Sequence, residues 1–596
     1  MSLFDVSRSV AHAQHLLSQG RAGEAVQMLR PLASAQPRHA GLHQTLGVAL
    51  RRAGRTEEAI GFLAAASRLE PSNPALMNSL ANALSDLGRS DEAISWYRRA
   101  VALAPGNADA LVNLSLEQRK SGDLAAAEAF ARSAVTKHPA HHPAWRALGL
   151  TLLARERLHE AAAAFDKVIA LQPQDRIALT ARANIEMDLG RPATRLYQAA
   201  RAVAHDDEGL LLGHAAALHR EGRGEEALDL LGRASAQHPE WRRALAASAS
   251  LRWQWGAAES VTAPYEAALR ARPGDEALWE DALTILSKTR RFSDAMTWLE
   301  NARRALRQPD AFLAVEANAL EELGMSDRAA AVFARMRTAG LRDTTAEIRH
   351  LLRARRCDQA AAACERRIAA GEVGMWPYLG TAWRLAGDPR YAWLDEQPNT
   401  IAVVELGLAA GEIASLAEFL RRLQVAPAAP LDQSIVGGRQ TEGNLLMNEA
   451  PVIRTLRRAL EDAVADHVRK LPEPITGHPT LDIRPGPPRI AAAWSVLLEP
   501  GGFHTAHTHP DGRISSALYV EAPLAGEESA AAGEDGYLVL GEPPRDLGLG
   551  LAPLRRVRPR PGRLVLFPSH VWHGTRPLPS GSRLSIAFDV AMDRPD

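Results

Sequence analysis

The chain has little cysteine, few aromatic residues and no excess of charge of either sign. Only 2 of its 596 residues are cysteines, Cys357 and Cys364, which is too few for a disulfide framework or a zinc cluster. Both lie in an alanine-rich stretch, so we interpret them as small packed residues of a protein from a reducing compartment. The 70 basic and 70 acidic residues cancel, which disfavours general binding to nucleic acid or to anionic membranes.

Long apolar runs and several familiar motifs are also missing. No window approaches the roughly 18 apolar residues of a membrane span, and the start, MSLFDVSRSVAHAQHLL, lacks the pattern of a secretory signal. We therefore expect a cytoplasmic protein with no membrane partner. The sequence contains no phosphate-binding loop, no dinucleotide fingerprint, no HExxH and no GxSxG, which disfavours ATP hydrolysis, Rossmann cofactors, zincin chemistry and the α/β-hydrolases.

A period of 34 residues organises the first two thirds of the chain. Proline recurs with this step from Pro37 to Pro173, alanine recurs from Ala25 to Ala161, and a turn glycine recurs from Gly20. Proline cannot continue a helix, and glycine takes the left-handed conformation that ends one. Each period therefore predicts a pair of helices. Because one amphipathic pair cannot bury its apolar face alone, neighbouring pairs must stack.

Two details sharpen this pattern. Small residues such as Gly47 and Gly149 predict a close approach between paired helices, and the turn glycine is replaced by Glu156 and by Arg290. The pattern resembles tetratricopeptide repeats over residues 1–387, with about ten to eleven helical hairpins. The resemblance implies an all-α superhelical solenoid whose groove binds a protein or peptide. A purely spacing or oligomerising role for the array stays open.

The helical period ends near residue 390, and short β patterns follow. A helix is predicted over 451–471, and 436–443 (VGGRQTEG) is either a lid over a site or a loop. Many short strands between glycine and proline turns favour a sandwich, a barrel or a jelly roll, in a second domain over 388–596. The predicted strands are 400–406, 490–498, 514–520, 537–540, 563–568 and 583–590.

Histidine is concentrated in this second domain. His507 and His509 are two residues apart, so on an extended segment they share a side, whereas His504 is expected to point away. His573 follows 66 residues after His507, in the turn after a predicted strand. Neutral imidazole suits iron, copper, nickel or zinc, and three protein ligands on one face leave positions for substrate and O₂. The cluster therefore predicts a metal site.

The strand predicted over 583–590 adds a cation. Arg583, Ser585 and Asp589 share one face of it. A buried arginine needs an anionic partner, and a carboxylate that binds it in bidentate fashion supplies one. Ten residues separate His573 from Arg583, so the guanidinium could hold the far carboxylate of a dicarboxylate that chelates the metal.

Together these features resemble the Fe(II)/2-oxoglutarate-dependent oxygenase superfamily, and more narrowly the oxygenase domains that follow tetratricopeptide repeats in bacterial proteins. The resemblance implies a double-stranded β-helix (jelly-roll) domain with flanking helices, the use of Fe(II), 2-oxoglutarate and O₂, and hydroxylation of a substrate C–H bond. It rests on LDQSIVGGRQTEGNLL (431–446), AAWSVLLEPGGFHTAHTHPDGRISSALYVEAP (492–523), GYLVLGEPP (536–544) and PGRLVLFPSHVWHGTRPLPSGSRLSIAFDV (561–590).

The resemblance assigns the metal ligands. By it, His507 and His573 bind the metal, and His509 stands where the wider superfamily usually has aspartate or glutamate. We predict His509 as the third ligand, and a water molecule or Asp511 is the alternative. No catalytic residue beyond the metal centre is predicted.

The resemblance also assigns the co-substrate site. Arg583 anchors the carboxylate of 2-oxoglutarate, Ser585 lies beside it, and Tyr519 is a candidate hydrogen-bond donor to the same molecule. Trp494 and Trp572 are expected in the core or the pocket wall.

The remaining expectations concern two histidines and two alternative functions. His504 and His570 are expected at the surface or behind the metal ligands. Two other functions stay open: a non-enzymatic repeat scaffold with a degenerate oxygenase fold, and a three-histidine cupin-like metalloenzyme that does not use 2-oxoglutarate.

Overall fold

The structure, a computed structural model, describes residues 3–431, 433–482, 488–510, 512–523 and 534–591. Within these ranges no helix has both the length and the apolar character needed to cross a membrane. The chain divides into two compact units. The first consists of Met1–Ile185 with Ala202–His205, and the second of Glu186–Arg201 with Asp206–Asp596.

Helices fill the chain up to residue 395. The last helix before the first strand is the 24th, which is enough for twelve hairpins where the sequence predicts ten to eleven. The final helices lie beyond the region where glycine and proline keep their period. In order they are α1 Leu3–Ser18, α2 Ala22–Ala35, α3 Ala40–Arg52, α4 Thr56–Leu69, α5 Pro74–Asp86, α6 Ser90–Leu103, α7 Ala108–Lys120, α8 Leu124–Lys137, α9 His142–Ala154, α10 Leu158–Leu171, α11 Arg176–Asp188, α12 Thr194–Val203, α13 Glu208–Arg220, α14 Gly224–Gln237, α15 Arg242–Gln254, α16 Ala263–Ala271, α17 Glu276–Lys288, α18 Phe292–Leu306, α19 Leu313–Glu322, α20 Ser326–Thr338, α21 Thr345–Arg353, α22 Cys357–Ala369, α23 Trp376–Ala386 and α24 Arg390–Asp395.

The turns inside the hairpins explain the glycine period. Gly54 and Gly88 have φ values of +77° and +73°. Where the glycine is replaced, Glu156 and Arg290 take the same left-handed conformation, with φ of 58° and 56°. This conformation costs roughly 1 kcal/mol for a residue with a Cβ. Packing between the helices therefore imposes the turn even where the local sequence disfavours it.

Close packing between paired helices explains the small residues. A Cβ at Gly47 would lie 2.5 Å from Cγ of Leu63, and one at Gly149 would lie 2.9 Å from Cε1 of Phe165. Either contact is too short for a real Cβ, so a larger residue would force the helices apart. The predicted close approach is confirmed.

The C-terminal region is built from two antiparallel sheets. The larger sheet has the order β1-β7-β4-β9-β3-β2 and the smaller one β6-β5-β8. This arrangement confirms the predicted fold class, an all-α solenoid of hairpins followed by a jelly roll with flanking helices. The strands are β1 Ala402–Glu405, β2 Ile435–Gln440, β3 Arg489–His504, β4 Ile514–Glu521, β5 Leu538–Leu540, β6 Arg555–Val557, β7 Arg563–Pro568, β8 His573–Thr575 and β9 Arg583–Ala591, and the flanking helices are α25 Ala410–Leu423 and α26 Pro451–Arg469.

Three elements differ from the sequence expectations. His573 starts strand β8 rather than lying in a turn, because pairing with β5 defines a strand too short to have a pattern of its own. Most of segment 436–443 is edge strand β2, paired with β3, so it is not a lid over that length. Helix α25 was not predicted. It packs with α26 in the buried cluster beside the larger sheet, for example through Leu416 and Leu460.

The two cysteines lie in α22 as free thiols. Cys364 is fully buried, and burial raises the pKa of its thiol to about 12. Cys357 is only partly buried. The interpretation as a packed residue therefore holds fully for Cys364 and in part for Cys357.

Within the second unit, the last hairpins bond directly to the jelly roll. Arg349 on α21 lies 2.6 Å from the carboxylate of Asp546, and Arg384 on α23 donates to the carbonyl of Gly541 at 2.9 Å. Leu549 is buried in one cluster with residues of α21, α22 and α23. A single compact unit therefore includes both hairpins and jelly roll, and the domain boundary at residue 387 stays a prediction.

Candidate metal centre

Backbone pairing brings two of the predicted ligands together. The amide of His507 donates to the carbonyl of His573 at 2.9 Å, and the amide of His573 returns the bond at 3.0 Å. Residues paired in this way project their side chains to the same face of a sheet. The two ring centroids are 4.1 Å apart. β8, whose other edge pairs with β5, therefore joins two histidines that are far apart in the sequence.

His509 completes a group of three. Its ring centroid lies 5.2 Å from that of His507 and 4.9 Å from that of His573. One ring nitrogen from each of the three histidines lies within 4.8 Å of the others. Among the described histidine, cysteine, aspartate and glutamate side chains, no other group of three or more converges in this way. Asp511, the other protein candidate for the third position, lies outside the described residues.

Hydrogen bonds fix the tautomers of two rings. Nδ1 of His507 lies 2.9 Å from the carbonyl of Thr505, and Nδ1 of His573 lies 3.0 Å from the carbonyl of Val571. A carbonyl can only accept, so each Nδ1 donates its hydrogen. In a neutral ring this leaves Nε2 with a lone pair, which is the form that binds a metal ion. In His507 that nitrogen lies 3.3 Å from Ser434 Oγ.

Asp589 does the same for His509. Nδ1 of His509 lies 2.7 and 3.0 Å from the two carboxylate oxygens of Asp589, and Ser515 Oγ donates to that carboxylate at 2.7 Å. A carboxylate behind a histidine is a common support of metal-binding imidazoles. In the sequence, strand alternation already places Asp589 on the same face as Arg583. That alternation is the signal for its position, but it does not indicate a role for Asp589.

Burial keeps these rings neutral. Desolvation, followed by the nearby His509, lowers the pKa of His507 to about 4. Desolvation also lowers the pKa of His573 well below its ordinary value, with His507 as the next cause. At neutral pH both rings therefore offer an unprotonated nitrogen and add no positive charge to a cation site.

His504 does not point away as expected. Its ring lies 5.8 Å from that of His507, nearly parallel to it, and its Nδ1 lies 2.9 Å from Ser434 Oγ. β3 ends at His504, so the strand alternation does not carry across Thr505 and Ala506 to the next histidine. Its position beside the three histidines agrees with the expectation that it lies behind the ligands.

Arg583 lies buried beside this group. Only 1% of its surface is exposed, Nη1 donates to the Gly536 carbonyl at 2.8 Å, and Nη2 donates to Thr575 Oγ1 at 3.2 Å. Thr575 is two residues after His573 on β8, so it lies on the same face of the strand as that histidine. Nε of Arg583 is buried without a hydrogen-bond partner, and no described carboxylate pairs with the guanidinium.

The side chains of Tyr519 and Ser585 lie on the same face of the larger sheet as that of Arg583. They are opposite each other on β4 and β9, and the guanidinium carbon of Arg583 lies 5.7 Å from the centroid of the Tyr519 ring. The Tyr519 hydroxyl is buried without a hydrogen-bond partner among the described atoms. The three residues predicted to bind the co-substrate therefore lie together, and two of them have unsatisfied polar atoms.

These residues fit Fe(II) and 2-oxoglutarate. Three imidazoles whose Nδ1 atoms are held by carbonyl or carboxylate oxygens form a nitrogen ligand set that suits iron. A carboxylate would pair with the buried Arg583 and accept a hydrogen bond from Tyr519, and an unpaired buried guanidinium is otherwise costly. Burial alone lowers the pKa of Arg583, and an anion beside it would favour the charged form.

The remaining candidates have supporting positions. Trp494 lies in the wall, with its ring 5.6 Å from His509. Trp572 is buried against helix α23 through its indole N–H. His570 is 8% exposed and bonds to Asp395 at 3.0 Å. His570 is therefore buried rather than at the surface, and its ring bonds to Asp395 and Thr480 rather than to one of the three histidines.

A cleft of about 220 Å³ opens beside His509. One wall is formed by the start of α23, including Trp376 and Pro377, and the opposite wall by Pro479 and Pro510. His509, a predicted metal ligand, is one of the residues that line this cleft. The cleft is therefore a candidate path for a substrate.

Three family models match regions of this architecture. Residues 492–589 match the family described as "Putative 2OG-Fe(II) oxygenase", and overlapping segments within residues 10–210 match tetratricopeptide repeats. The chain therefore contains tetratricopeptide repeats within residues 10–210 and a region that matches a putative 2OG-Fe(II) oxygenase at residues 492–589. The oxygenase match includes all three converging histidines and Arg583. Residues 229–316, where the structure has further helical hairpins, match the bacterial transcriptional activator domain.

Solved structures similar to this chain include tetratricopeptide repeat proteins. YrrB, described as having an unusual peptide-binding site, shares 22% identity over 29% of this chain and 90% of its own, with a TM-score of 0.25. A repeat protein from Parabacteroides merdae shares 18% identity over 38% of this chain and 91% of its own, with a TM-score of 0.32. PilF of Pseudomonas aeruginosa shares 20% identity over 34% of this chain and 92% of its own, with a TM-score of 0.31. No curated protein gave a significant match.

Proposed function

We propose that the C-terminal domain is an Fe(II)- and 2-oxoglutarate-dependent dioxygenase that hydroxylates a protein or peptide recruited by the repeats. The observation that carries this proposal is the convergence of His507, His509 and His573 beside the buried, unpaired Arg583. A ligand set for iron and an anchor for a carboxylate are the two parts that such a reaction needs.

In this proposal the metal is held by Nε2 of the three histidines, with His509 as the third ligand. Asp589 orients His509, and the carbonyls of Thr505 and Val571 orient the other two rings. Fixed partners of this kind raise ligand basicity and hold the rings in place.

Bound Fe(II) with 2-oxoglutarate and O₂ supplies the oxidation: one oxygen atom enters a substrate C–H bond, the other enters succinate, and CO₂ is released. Arg583 orients the distal carboxylate of 2-oxoglutarate, and Tyr519 donates a hydrogen bond to the same molecule. Trp494 and Phe567, whose rings lie 5.6 and 4.7 Å from those of His509 and His573, exclude water from one side of the ligands.

Succinate formation by the purified full-length chain tests the proposal. With Fe(II), 2-oxoglutarate and O₂, we expect His507→Ala and His573→Ala to lower turnover by about 100-fold or more, because loss of a ligand exceeds the effect of losing its support. His12→Ala, an exposed histidine in α1, is the matched control and should have no effect. Unchanged succinate formation in both ligand variants would contradict the site.

A second candidate is a three-histidine metalloenzyme that does not use 2-oxoglutarate. It is favoured by one observation: the described residues that converge on the site include no carboxylate. In that case Arg583 is structural, and metal-dependent oxidation should persist without 2-oxoglutarate.

Arg583 separates these candidates. If it anchors 2-oxoglutarate, Arg583→Gln should weaken binding of that acid by about 10- to 100-fold, the size expected for a charge-assisted hydrogen-bond pair, while the metal affinity stays the same. Arg563→Gln on the same sheet, whose partner is Glu405 at 2.7 Å, is the matched control. Equal 2-oxoglutarate affinity in wild type and Arg583→Gln would contradict the anchor. Absence of any metal or 2-oxoglutarate binding would favour the scaffold instead.

A further inference from the structure

The segment that leads into His573 has no helix or strand of its own. Residues 569–572 connect β7 to β8 as turn and bend. Yet the Ser569 carbonyl accepts the amide of His509 at 3.1 Å, and the Val571 carbonyl accepts Nδ1 of His573 at 3.0 Å. A short irregular segment therefore positions two of the three candidate ligands, and something outside it must hold it.

Trp572 connects this segment to α23. Its indole N–H lies 3.0 Å from Thr381 Oγ1 and 3.2 Å from the carbonyl of Pro377, so both acceptors belong to the first helix of the last hairpin. The indole packs edge-on against Tyr378, with ring centroids 5.1 Å apart, and Trp572 is 8% exposed. The residue directly before His573 is therefore held by a repeat helix.

His570 connects the same segment to α24. Its Nε2 donates to Asp395 Oδ1 at 3.0 Å, because a carboxylate can only accept, and its Nδ1 lies 3.1 Å from Thr480 Oγ1. Val571, whose carbonyl fixes the tautomer of His573, lies between these two anchored residues.

A third contact supports the next strand. The amide of Gly541, directly after β5, donates to the carbonyl of Trp572 at 2.6 Å. The carbonyl of Gly541 in turn accepts Nη1 of Arg384, on α23, at 2.9 Å. The last hairpin thus holds both the strand that carries His573 and the end of the strand paired with it.

We propose that the hairpin α23–α24 is part of the scaffold of the metal centre and that Trp572 is the positioning residue through which α23 holds His573. This inference rests on the proposed function, since it takes the three histidines to bind a metal. Its physical basis is that a ligand set needs its rings held within about 0.5 Å by supporting contacts. The repeats nearest the jelly roll then contribute to metal affinity, although none of their side chains is a ligand.

Cobalt binding tests this inference without turnover. Co(II) is titrated into the full-length chain, and its d–d absorption reports both affinity and coordination geometry. We expect Trp572→Phe, which keeps the ring and removes the N–H, to weaken Co(II) binding by about tenfold and to change the absorption bands, as loss of a supporting contact does. Thr381→Val should weaken it by about threefold, since Pro377 still accepts the indole N–H.

Trp145→Phe is the matched control. Trp145, on α9 of the first unit, donates its indole N–H to the Pro139 carbonyl at 2.8 Å, so the variant removes the same type of bond far from β8 in the sequence. It should leave Co(II) affinity and spectrum unchanged. The double variant of Trp572 and Thr381 should bind no more weakly than Trp572→Phe alone, because both changes remove one interaction.

The outcomes separate the two proposals. Failure of the wild-type chain to bind Co(II) overturns the proposed metal site and this inference with it. Wild-type binding with unchanged affinity and spectrum in both single variants overturns the inference alone. If thermal melting shows that Trp572→Phe is unfolded at the assay temperature, the isosteric Thr381→Val decides, and an effect equal to that of Trp145→Phe overturns the inference.

Discussion

The hairpins of the first unit and those of the second unit share one packing chemistry but differ in what their outer side chains bind. In the first unit, Arg30 pairs with Glu58 at 2.6 Å, and Arg132 pairs with Glu160 at 2.9 Å, from one hairpin to the next. In the second unit such pairs between hairpins recur, as from Arg353 to Glu321 at 2.7 Å, but arginines of the last hairpins also pair with the jelly roll, as Arg349 does with Asp546.

This difference separates two uses of the same repeat. The small buried residues that stack one hairpin on the next leave the outer polar positions free to vary. In the first unit those positions reinforce the stack, and in the second some of them hold another fold. The repeats therefore differ in function through residues that the 34-residue period does not constrain.

Acid should produce the largest difference between the units. Desolvation lowers the pKa of His214, His467 and His478 to about 4, and all three are buried in the second unit. An unfolded histidine gains a proton as the pH falls through about 6.5, whereas these stay neutral until about 4. The contribution of each neutral histidine to the free energy of unfolding is therefore complete above pH 6.5 and is lost as the pH falls towards 4. At pH 5 the loss is at most roughly 2 kcal/mol for each histidine.

Urea unfolding at pH 7 and pH 5 measures this effect. Ten of the 12 tryptophans lie in the second unit, so fluorescence mainly follows that unit, while circular dichroism follows the helices of both. His467→Leu should reduce the acid-induced loss by roughly 2 kcal/mol, because the Nε2 of this ring has no hydrogen-bond partner among the described atoms. The same loss in wild type and variant would contradict the assignment.

Truncation of one buried leucine in each unit allows a direct comparison of the two cores. Leu80 in the first unit and Leu379 in the second are each 2% exposed, so truncation of either to alanine should cost about 2–5 kcal/mol in its own unit. Leu379 shares a buried cluster with Leu547 and Leu549 of the jelly roll. In thermal unfolding, Leu379→Ala should lower the fluorescence transition and Leu80→Ala should not. Equal shifts would show that the two units unfold together.

The smallest difference is expected from the ion pairs. Asp546→Asn removes one of the two carboxylates that pair with Arg349, whose side chain is 15% exposed, and leaves Glu322 at 3.1 Å. We expect a loss of about 1 kcal/mol, between the values for surface and buried pairs. Glu160→Gln in the first unit removes an exposed partner of Arg132 and should have no measurable effect on urea unfolding. A larger loss in Glu160→Gln than in Asp546→Asn would reverse the comparison.

Features of the chain that depend on neighbouring residues were the most predictable from its sequence. The hairpins and most strands were predictable because period and alternation are local signals. The pairing of His507 with His573 was expected only by resemblance, since spacing alone does not bring positions 66 residues apart together. Two expectations were wrong. His573 lies on strand β8, which pairing with the distant β5 defines, and His504 lies beside His507 because the strand alternation ends before Thr505.

An array of helical hairpins followed by a β-rich domain can be read from the sequence alone, because helix ends, small packed residues and strand alternation are each encoded within a few neighbours. The histidines and Arg583 also stand out there as unusual side chains. The fold was needed to show that Asp589 supports His509, that Arg583 is buried without a described carboxylate, and that α23 holds Trp572. Each of these facts depends on which segments fold against one another, and burial and hydrogen bonding between distant segments exist only once the chain has packed.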